Sequence, residues 1–106
     1  MTGISLPEIL IASHIKAWKD SSESERFDPD NGILLSPAID ALFDRHLITF
    51  DASGYVKLSP ELEVHHYERL GVTSGTKIPV DEGMKPYLAV HEKKFAIRKR
   101  WYRQNH

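Results

Sequence analysis

The 106-residue chain has no cysteine, which excludes disulfide bonds, thiolate zinc sites and a cysteine nucleophile. Its longest uninterrupted apolar run, residues 9–12, falls far short of the roughly 20 residues that a membrane-spanning helix needs. Residues 1–3 lack the basic segment that leads into a signal-peptide core. Since 41% of the residues are hydrophobic and 27% are charged, we expect one small soluble globular domain without a membrane partner. The absence of cysteine fits a reducing cytoplasm, which is the expected location.

The net charge of −1 conceals an asymmetry between two parts of the chain. Residues 1–84 carry seven basic and fourteen acidic side chains, whereas residues 85–106 carry seven basic and one acidic. The basic residues of this tail alternate with Phe95, Trp101 and Tyr102, an arrangement that suits a polyanion such as DNA. The charge pattern alone is equally compatible with a solvated amphipathic helix.

The first third of the chain predicts a β-hairpin with a long connection. A short buried strand over residues 9–11 leads to His14 at its end, and residues 33–35 form the returning strand. The polar residues 19–30 between them are predicted to be a loop. Long ordered loops in compact domains often carry function, so this connection is a candidate for a site.

A helix is predicted over residues 37–45. Ser36 is a suitable N-cap because its hydroxyl can accept a hydrogen bond from the free backbone N–H groups of the first turn. Pro37 is a suitable first residue because its missing N–H is not needed at that position. The helix presents one apolar face to the core, formed by Ile39, Leu42 and Phe43.

The rest of the chain predicts a second hairpin and a long helix. Residues 47–50 and 55–58 favour strands around a glycine-containing turn. Residues 59–62 open a short helix, residues 72–83 are mostly loop, and residues 86–102 have helical spacing.

Two carboxylates, Asp40 and Asp44, stand one helical turn apart, where like charges repel by a few tenths of a kcal/mol. A hard cation such as Mg²⁺ or Mn²⁺ between them would remove this repulsion. A neutral imidazole at position 14 could accept a proton from water. A solvated acidic face and a structural histidine are the plainer alternatives.

Three segments in order resemble the restriction-type branch of HNH endonucleases: ASHIKAW (residues 12–18), ERFDPDNGILLSP (25–37) and IDALFDR (39–45). The stretch PYL..H, from residue 86, is similar to that branch's C-terminal segment. The resemblance implies an α+β fold, with a ββα-metal (His-Me finger) core, an additional β-hairpin and a C-terminal helix. Within one domain of residues 1–106, this gives a core at 1–46, a hairpin at 47–59, a short helix and loop at 60–85, and a basic helix at 86–103.

The resemblance also implies the residues of a site. By match to the family's motif, His14 is the general base, Asn31 braces the long loop, and Asp40 and Asp44 are metal ligands. Aspartate where many HNH proteins have histidine shifts the expected metal from Zn²⁺ or Ni²⁺ toward Mg²⁺ or Mn²⁺. The expected partner is DNA, bound through basic residues of the core and tail: Lys16, Arg45, Lys94, Arg98, Lys99 and Arg100.

Some assignments stay open at this stage. Ser13 stands where other branches have an acidic ligand, so the third ligand is uncertain. His14 itself could fill that place, which would leave the general base unassigned. His46 replaces a usual glycine and has three open roles: a packed C-terminal cap, a phosphate contact or an added ligand. Pairing of two chains is also open. Residues 2–4 look like the interior of a longer family segment, and relatives tend to carry an N-terminal specificity domain that we expect to be absent here.

The function predicted from the resemblance is metal-dependent DNA hydrolysis, in restriction or defence, leaving 5′-phosphate and 3′-hydroxyl ends. The alternative is a catalytically silent module that binds DNA or protein.

Overall fold

The computed structural model describes residues 10–61, 69, 72 and 75–105. Two expectations lie outside the described residues: the strand start at Ile9 and the short helix continuing past Glu61. His65 and His66, which the sequence suggests are surface residues and not metal ligands because no partner spacing supports them, also lie outside the described residues.

The first hairpin pairs β1 (Ile11–His14) with β2 (Gly32–Leu35) in antiparallel register, with His14 opposite Gly32. The strand therefore starts and ends later than the apolar run predicts. Ile11 is 39% exposed, so the expectation of a buried strand is wrong at this residue. Among the described residues β1 pairs only with β2, so the first hairpin is a two-stranded sheet.

The connection between β1 and β2 is not the plain loop that its polar composition predicts. It contains 3₁₀ turns at Trp18–Asp20 and Pro29–Asn31, and the short helix α1 (Glu23–Arg26) between them. Side chains make these turns possible, because Ser22 and Glu25 satisfy each other's free backbone N–H groups in a capping box. Local hydrogen bonds of this kind hold a polar segment in shape without apolar burial.

Helix α2 (Pro37–Asp44) packs on both strands of the hairpin. Its predicted core residues Ile39, Leu42 and Phe43 are buried, and Ser36 caps it through a hydrogen bond from the Ile39 amide. The helix ends one residue before the predicted position because Arg45 is the C-cap. The hairpin and α2 together have the ββα arrangement.

The second hairpin pairs β3 (Ile48–Phe50) with β4 (Val56–Leu58), and α3 (Lys85–Asn105) packs on β3. No helix among the described residues is long and apolar enough to cross a membrane. The main core cluster draws on β2, α2, β3, α3 and the segments between elements, and Val56 and Leu58 of β4 pack against it. Its buried members are Ile15, Ile33, Leu35, Ile39, Leu42, Phe43, Leu47, Ile48, Phe50, Val72, Ile78, Met84, Tyr87 and Leu88.

His91 on α3 links three elements from inside the core. Its Nε2 donates to the Phe43 carbonyl at 2.7 Å, and its Nδ1 therefore accepts from the Thr49 hydroxyl, also at 2.7 Å. The imidazole also stacks on the Phe43 ring, with centroids 3.7 Å apart. Burial lowers the pKa of His91 to about 4, which keeps the ring neutral in the folded chain.

We expect this buried ring to make the chain acid-sensitive. The folded pKa of about 4 lies below the ordinary value of 6.5, so the unfolded chain binds the proton more tightly. The contribution is fully present above pH 6.5 and is lost as the pH falls toward 4. By pH 4 the loss from this residue is about 3 kcal/mol.

Urea unfolding of the wild type and His91→Gln between pH 7.5 and 4 measures this effect. The substitution costs stability at all pH values, because glutamine cannot reproduce both hydrogen bonds, but it should flatten the pH dependence in this window. Parallel curves for the two proteins would contradict the assignment.

Candidate active site

His14 closes β1 at the point where the long connection begins. Its Nε2 lies 2.9 Å from the Arg26 carbonyl oxygen. A carbonyl can only accept, so Nε2 carries the hydrogen, and in the neutral ring Nδ1 is left with a free lone pair. The connection thus selects one tautomer of this histidine, the form with Nδ1 able to take a proton.

Asn31 stands at the other end of the same connection and is fully buried. Its Oδ1 accepts from the Lys16 amide at 2.7 Å, and its Nδ2 donates to the Glu25 carbonyl at 3.0 Å and to the Ser21 hydroxyl at 3.4 Å. The Asn31 carbonyl accepts from the Ile15 amide at 3.0 Å. One side chain therefore ties together the start, middle and end of the connection.

Two aromatic rings lie beside His14 on its outer side. The Trp18 ring meets the imidazole edge to face with centroids 5.3 Å apart, and Phe27 meets Trp18 in the same way at 6.3 Å. Both are exposed, Trp18 by 52% and Phe27 by 75%. The histidine is therefore flanked by rings that lie at the surface and do not belong to the core.

Asp40 and Asp44 project from α2 one turn apart, as predicted. Asp44 is exposed, whereas Asp40 is half-buried, and its Oδ1 is buried with no hydrogen-bond partner among the described residues. A buried carboxylate oxygen without a donor is unfavourable, since it has lost water without gaining a replacement. The described protein atoms thus provide no hydrogen-bond donor for Oδ1 of Asp40.

A small cavity brings part of the predicted site together. Its lining includes side chains from β1, from the end of α2 and from α3, among them His14, Asp44, His46, His91 and Lys94. Asp40 and Asn31 do not line it. The expected base His14 and the expected ligand Asp44 therefore line the same cavity. Asn31 lies outside it and hydrogen-bonds to the backbone of the connection.

His46 occupies the turn that ends α2 with a left-handed φ of 59°. The His46 amide donates to the Phe43 carbonyl and the Leu47 amide to that of Leu42, which is a Schellman cap, normally completed by glycine. Its ring lies 4.5 Å from that of His91. Burial, and then the nearby Lys94 ammonium, hold the pKa of His46 below its ordinary value. Of the three roles considered for His46, the observed geometry is that of a packed cap.

The described residues contain no group of three or more histidine, aspartate or glutamate side chains arranged as a metal site. Ser13 lies in β1 opposite Ile33 and is half-buried. Two carboxylates are nonetheless a normal protein contribution for Mg²⁺, which usually keeps several waters and takes further oxygens from substrate phosphate. The residues present fit such an ion, because Asp40 offers an oxygen without a donor. They do not fit a closed tetrahedral zinc site.

The six basic residues predicted to bind DNA divide into two groups. Lys16 pairs with Glu25 at 3.0 Å, Lys94 pairs with Asp20, and Arg98 pairs with Glu61 at 2.7 Å. The hydrogen bond from Arg98 to Glu61 raises the pKa of the guanidinium further. The other three are Arg45, which donates to the Ala41 carbonyl of its own helix, Lys99, which lies over the Phe95 ring, and the exposed Arg100.

Sequence reasoning missed the acidic partners Asp20 and Glu61 and the roles of Trp18 and Arg26 around His14. Trp18 and Arg26 belong to the motif segments quoted for the resemblance, so their identity was in view. Their contacts depend on how the connection folds back on itself, which no spacing in the sequence reports. The acidic partners come from segments far from the tail, and no sequence signal indicates them.

Comparison with known proteins agrees with this geometry. A family model described as HNH endonuclease matches residues 1–51, which include β1, the connection, β2, α2 and β3. No curated protein is similar enough to count as a match. The match covers His14, Asn31, Asp40 and Asp44. This amino-terminal segment, slightly less than half of the chain, is therefore similar to the HNH endonuclease family.

Proposed function

We propose that the chain is a metal-dependent DNA endonuclease that hydrolyses phosphodiester bonds and leaves 5′-phosphate and 3′-hydroxyl ends. The observation that carries the proposal is the hydrogen bond from His14 Nε2 to the Arg26 carbonyl. A histidine held in this tautomer keeps Nδ1 as a proton acceptor and does not need to reorient before it acts.

His14 is the general base of the proposed reaction. Nδ1 removes a proton from water, the water oxygen bonds to phosphorus, and the bond from phosphorus to the 3′ oxygen breaks. The 3′ oxygen leaves with the electron pair of that bond and takes a proton from solvent water to become the 3′-hydroxyl. Asn31 takes no part in the bond changes. It holds the connection so that the Arg26 carbonyl stays within reach of the imidazole.

Asp40 and Asp44 are the residues that would hold the metal ion, with Mg²⁺ or Mn²⁺ preferred over Zn²⁺ or Ni²⁺. When bound, such an ion stabilises the negative charge that develops on the phosphate and on the leaving oxygen. The buried Oδ1 of Asp40, which has no hydrogen-bond partner among the described residues, supports this role.

Basic residues around the site would hold the DNA backbone. Lys94 lines the same cavity as His14 and Asp44, which supports a contact close to the scissile phosphate. Lys99 and Arg100 lie further along α3. A role in restriction or defence belongs to the proposal as well, and it is supported by the similarity of the core segments to the restriction-type branch.

Plasmid nicking in Mg²⁺ or Mn²⁺ tests the reaction. The wild type should cut, and His14→Ala should be slower by about 10²- to 10⁴-fold because the proton acceptor is gone. Asp44→Ala should lose activity to a similar degree because it removes a metal ligand. The control Glu23→Gln removes one exposed carboxylate from α1 and should cut like the wild type.

A gel-shift measurement on the same proteins separates the two readings of the chain. If the wild type and both alanine variants retard the plasmid while all leave it intact, the enzyme proposal fails. The chain would then be the catalytically silent binding module.

Asp40→Asn tests metal binding without turnover. In metal-free buffer the neutral side chain should stabilise the fold by a few tenths to about 1 kcal/mol, because it removes an unpaired charge beside Asp44. Saturating Mn²⁺ should raise the melting temperature of the wild type and leave that of Asp40→Asn unchanged. At a Mn²⁺ concentration of 100 times Kd, the expected gain in the free energy of unfolding of the wild type is about 2.7 kcal/mol. Glu23→Gln is again the control. An undiminished Mn²⁺ shift in Asp40→Asn would rule out Asp40 as a ligand.

The salt dependence of DNA binding tests the tail. Among the described residues Lys99 and Arg100 have no acidic partner, so Lys99→Gln and Arg100→Gln should each flatten the slope of log K against log[salt] by about 0.9. Arg98→Gln should change it less, since that charge is already paired with Glu61. Lys57→Gln, from the second hairpin, is the control. Slopes unchanged by Lys99→Gln and Arg100→Gln would make the tail a solvated helix.

A further inference from the structure

Arg26 and Trp18 form a clamp around the carbonyl that His14 binds. The Arg26 Nε donates to the Trp18 carbonyl oxygen at 2.9 Å. The Arg26 guanidinium also lies over the Trp18 indole, 4.6 Å from the ring centroid. One residue thus contacts both the backbone and the side chain of the other, across most of the long connection.

His14 completes a closed circuit with these two residues. It donates to the Arg26 carbonyl, and its ring meets the Trp18 ring edge to face. The hydrogen bond fixes which nitrogen carries the proton, and the ring contact limits rotation of the imidazole about its side-chain bonds. A free surface histidine would have neither restraint and would exchange between its two tautomers.

The exposure of Trp18 is consistent with a role at the site and not in the core. A ring of this size normally contributes through burial, yet this one is half exposed and lies outside the main core cluster. Its ring contacts among the described residues are His14, Arg26 and Phe27. Two of these three partners belong to the circuit.

Asn31 holds the same peptide region from the buried side. Its Nδ2 donates to the carbonyl of Glu25, the residue directly before Arg26. The backbone at residues 25–26 is therefore restrained on its buried side by the Asn31 amide and on its exposed side by the contacts between Trp18 and Arg26.

We propose that Trp18 and Arg26 are positioning residues for His14, which fix the Arg26 carbonyl and the imidazole plane so that Nδ1 stays free. The catalytic meaning of this assignment rests on the proposed function, because it presumes that His14 is the base. Its structural meaning does not, since the tautomer of His14 can be measured in the free protein.

Nitrogen-15 NMR of the imidazole rings, in the full chain at a pH where they are neutral, is the direct test. His14→Ala identifies the His14 signals by their disappearance. In the wild type we expect a single tautomer with hydrogen on Nε2 and none on Nδ1. Arg26→Met and Trp18→Ala should both give a mixture of tautomers, whereas Trp18→Phe, which keeps a ring edge, should stay close to the wild type.

The same variants are then assayed for DNA hydrolysis. Arg26→Met and Trp18→Ala should lower kcat by about 10- to 100-fold through misplacement of the base, and KM should change by less than about twofold. Lys57→Met removes one surface cation on the second hairpin. It should change neither kcat nor the His14 signals, which separates loss of positioning from loss of charge.

Three results would overturn the inference. These are wild-type tautomer signals in both Arg26→Met and Trp18→Ala, a loss of activity that lies in KM, or equal losses in Trp18→Phe and Trp18→Ala. If Arg26→Met does not fold, Trp18→Ala against Trp18→Phe decides alone. A wild type that cuts no DNA would sink the proposed function, while the tautomer comparison would still decide whether the clamp positions His14.

Discussion

The buried amide of Asn31 is the constraint on which the site depends. A side chain with no solvent exposure must satisfy its polar atoms within the protein, and Asn31 does so with backbone groups from both halves of the connection. Those bonds fix a polar segment that has few apolar residues of its own to bury. Through the Glu25 carbonyl they also fix the neighbouring peptide, whose carbonyl selects the tautomer of His14.

Two histidines in this chain use the same chemistry for different ends. His14 and His91 each donate from Nε2 to a backbone carbonyl, so each presents Nδ1 as an acceptor. In the core that acceptor is occupied by the Thr49 hydroxyl, and the ring joins β3, α2 and α3. At the end of β1 no described side chain takes that place, and the nitrogen is left for a proton from water in the proposed reaction.

The basic residues of the carboxy-terminal tail all lie on or next to α3, but acidic side chains from earlier segments of the chain pair with some of them. Asp20 and Glu61 reach Lys94 and Arg98 on α3, so acids of the body neutralise part of the basic helix. Ion pairs at a surface contribute little to stability. Their effect here is to divide the cations of the tail into those paired with an acid and those, such as Arg100, that have no acidic partner among the described residues.

The sequence by itself determined the two hairpins, α2 and α3, and it indicated the candidate site residues. Ser36 and Pro37 specified the start of α2, its apolar spacing specified the buried face, and the motif segments indicated His14, Asn31, Asp40 and Asp44. These signals are local, because caps, turns and periodicity act within a few residues of each other. The ordered turns at residues 18–31 were missed since their hydrogen bonds come from single serine and aspartate side chains with no periodicity.

Only the tertiary structure decided what each site residue touches. The tautomer of His14 depends on a carbonyl twelve residues away, the clamp requires Trp18 and Arg26 to meet across a folded connection, and His46 adopts a left-handed conformation in the turn that ends α2. Such contacts arise when segments distant in sequence close on each other. Composition and spacing describe the segments, whereas the packing of β1, α2 and the connection decides which atoms of those segments meet.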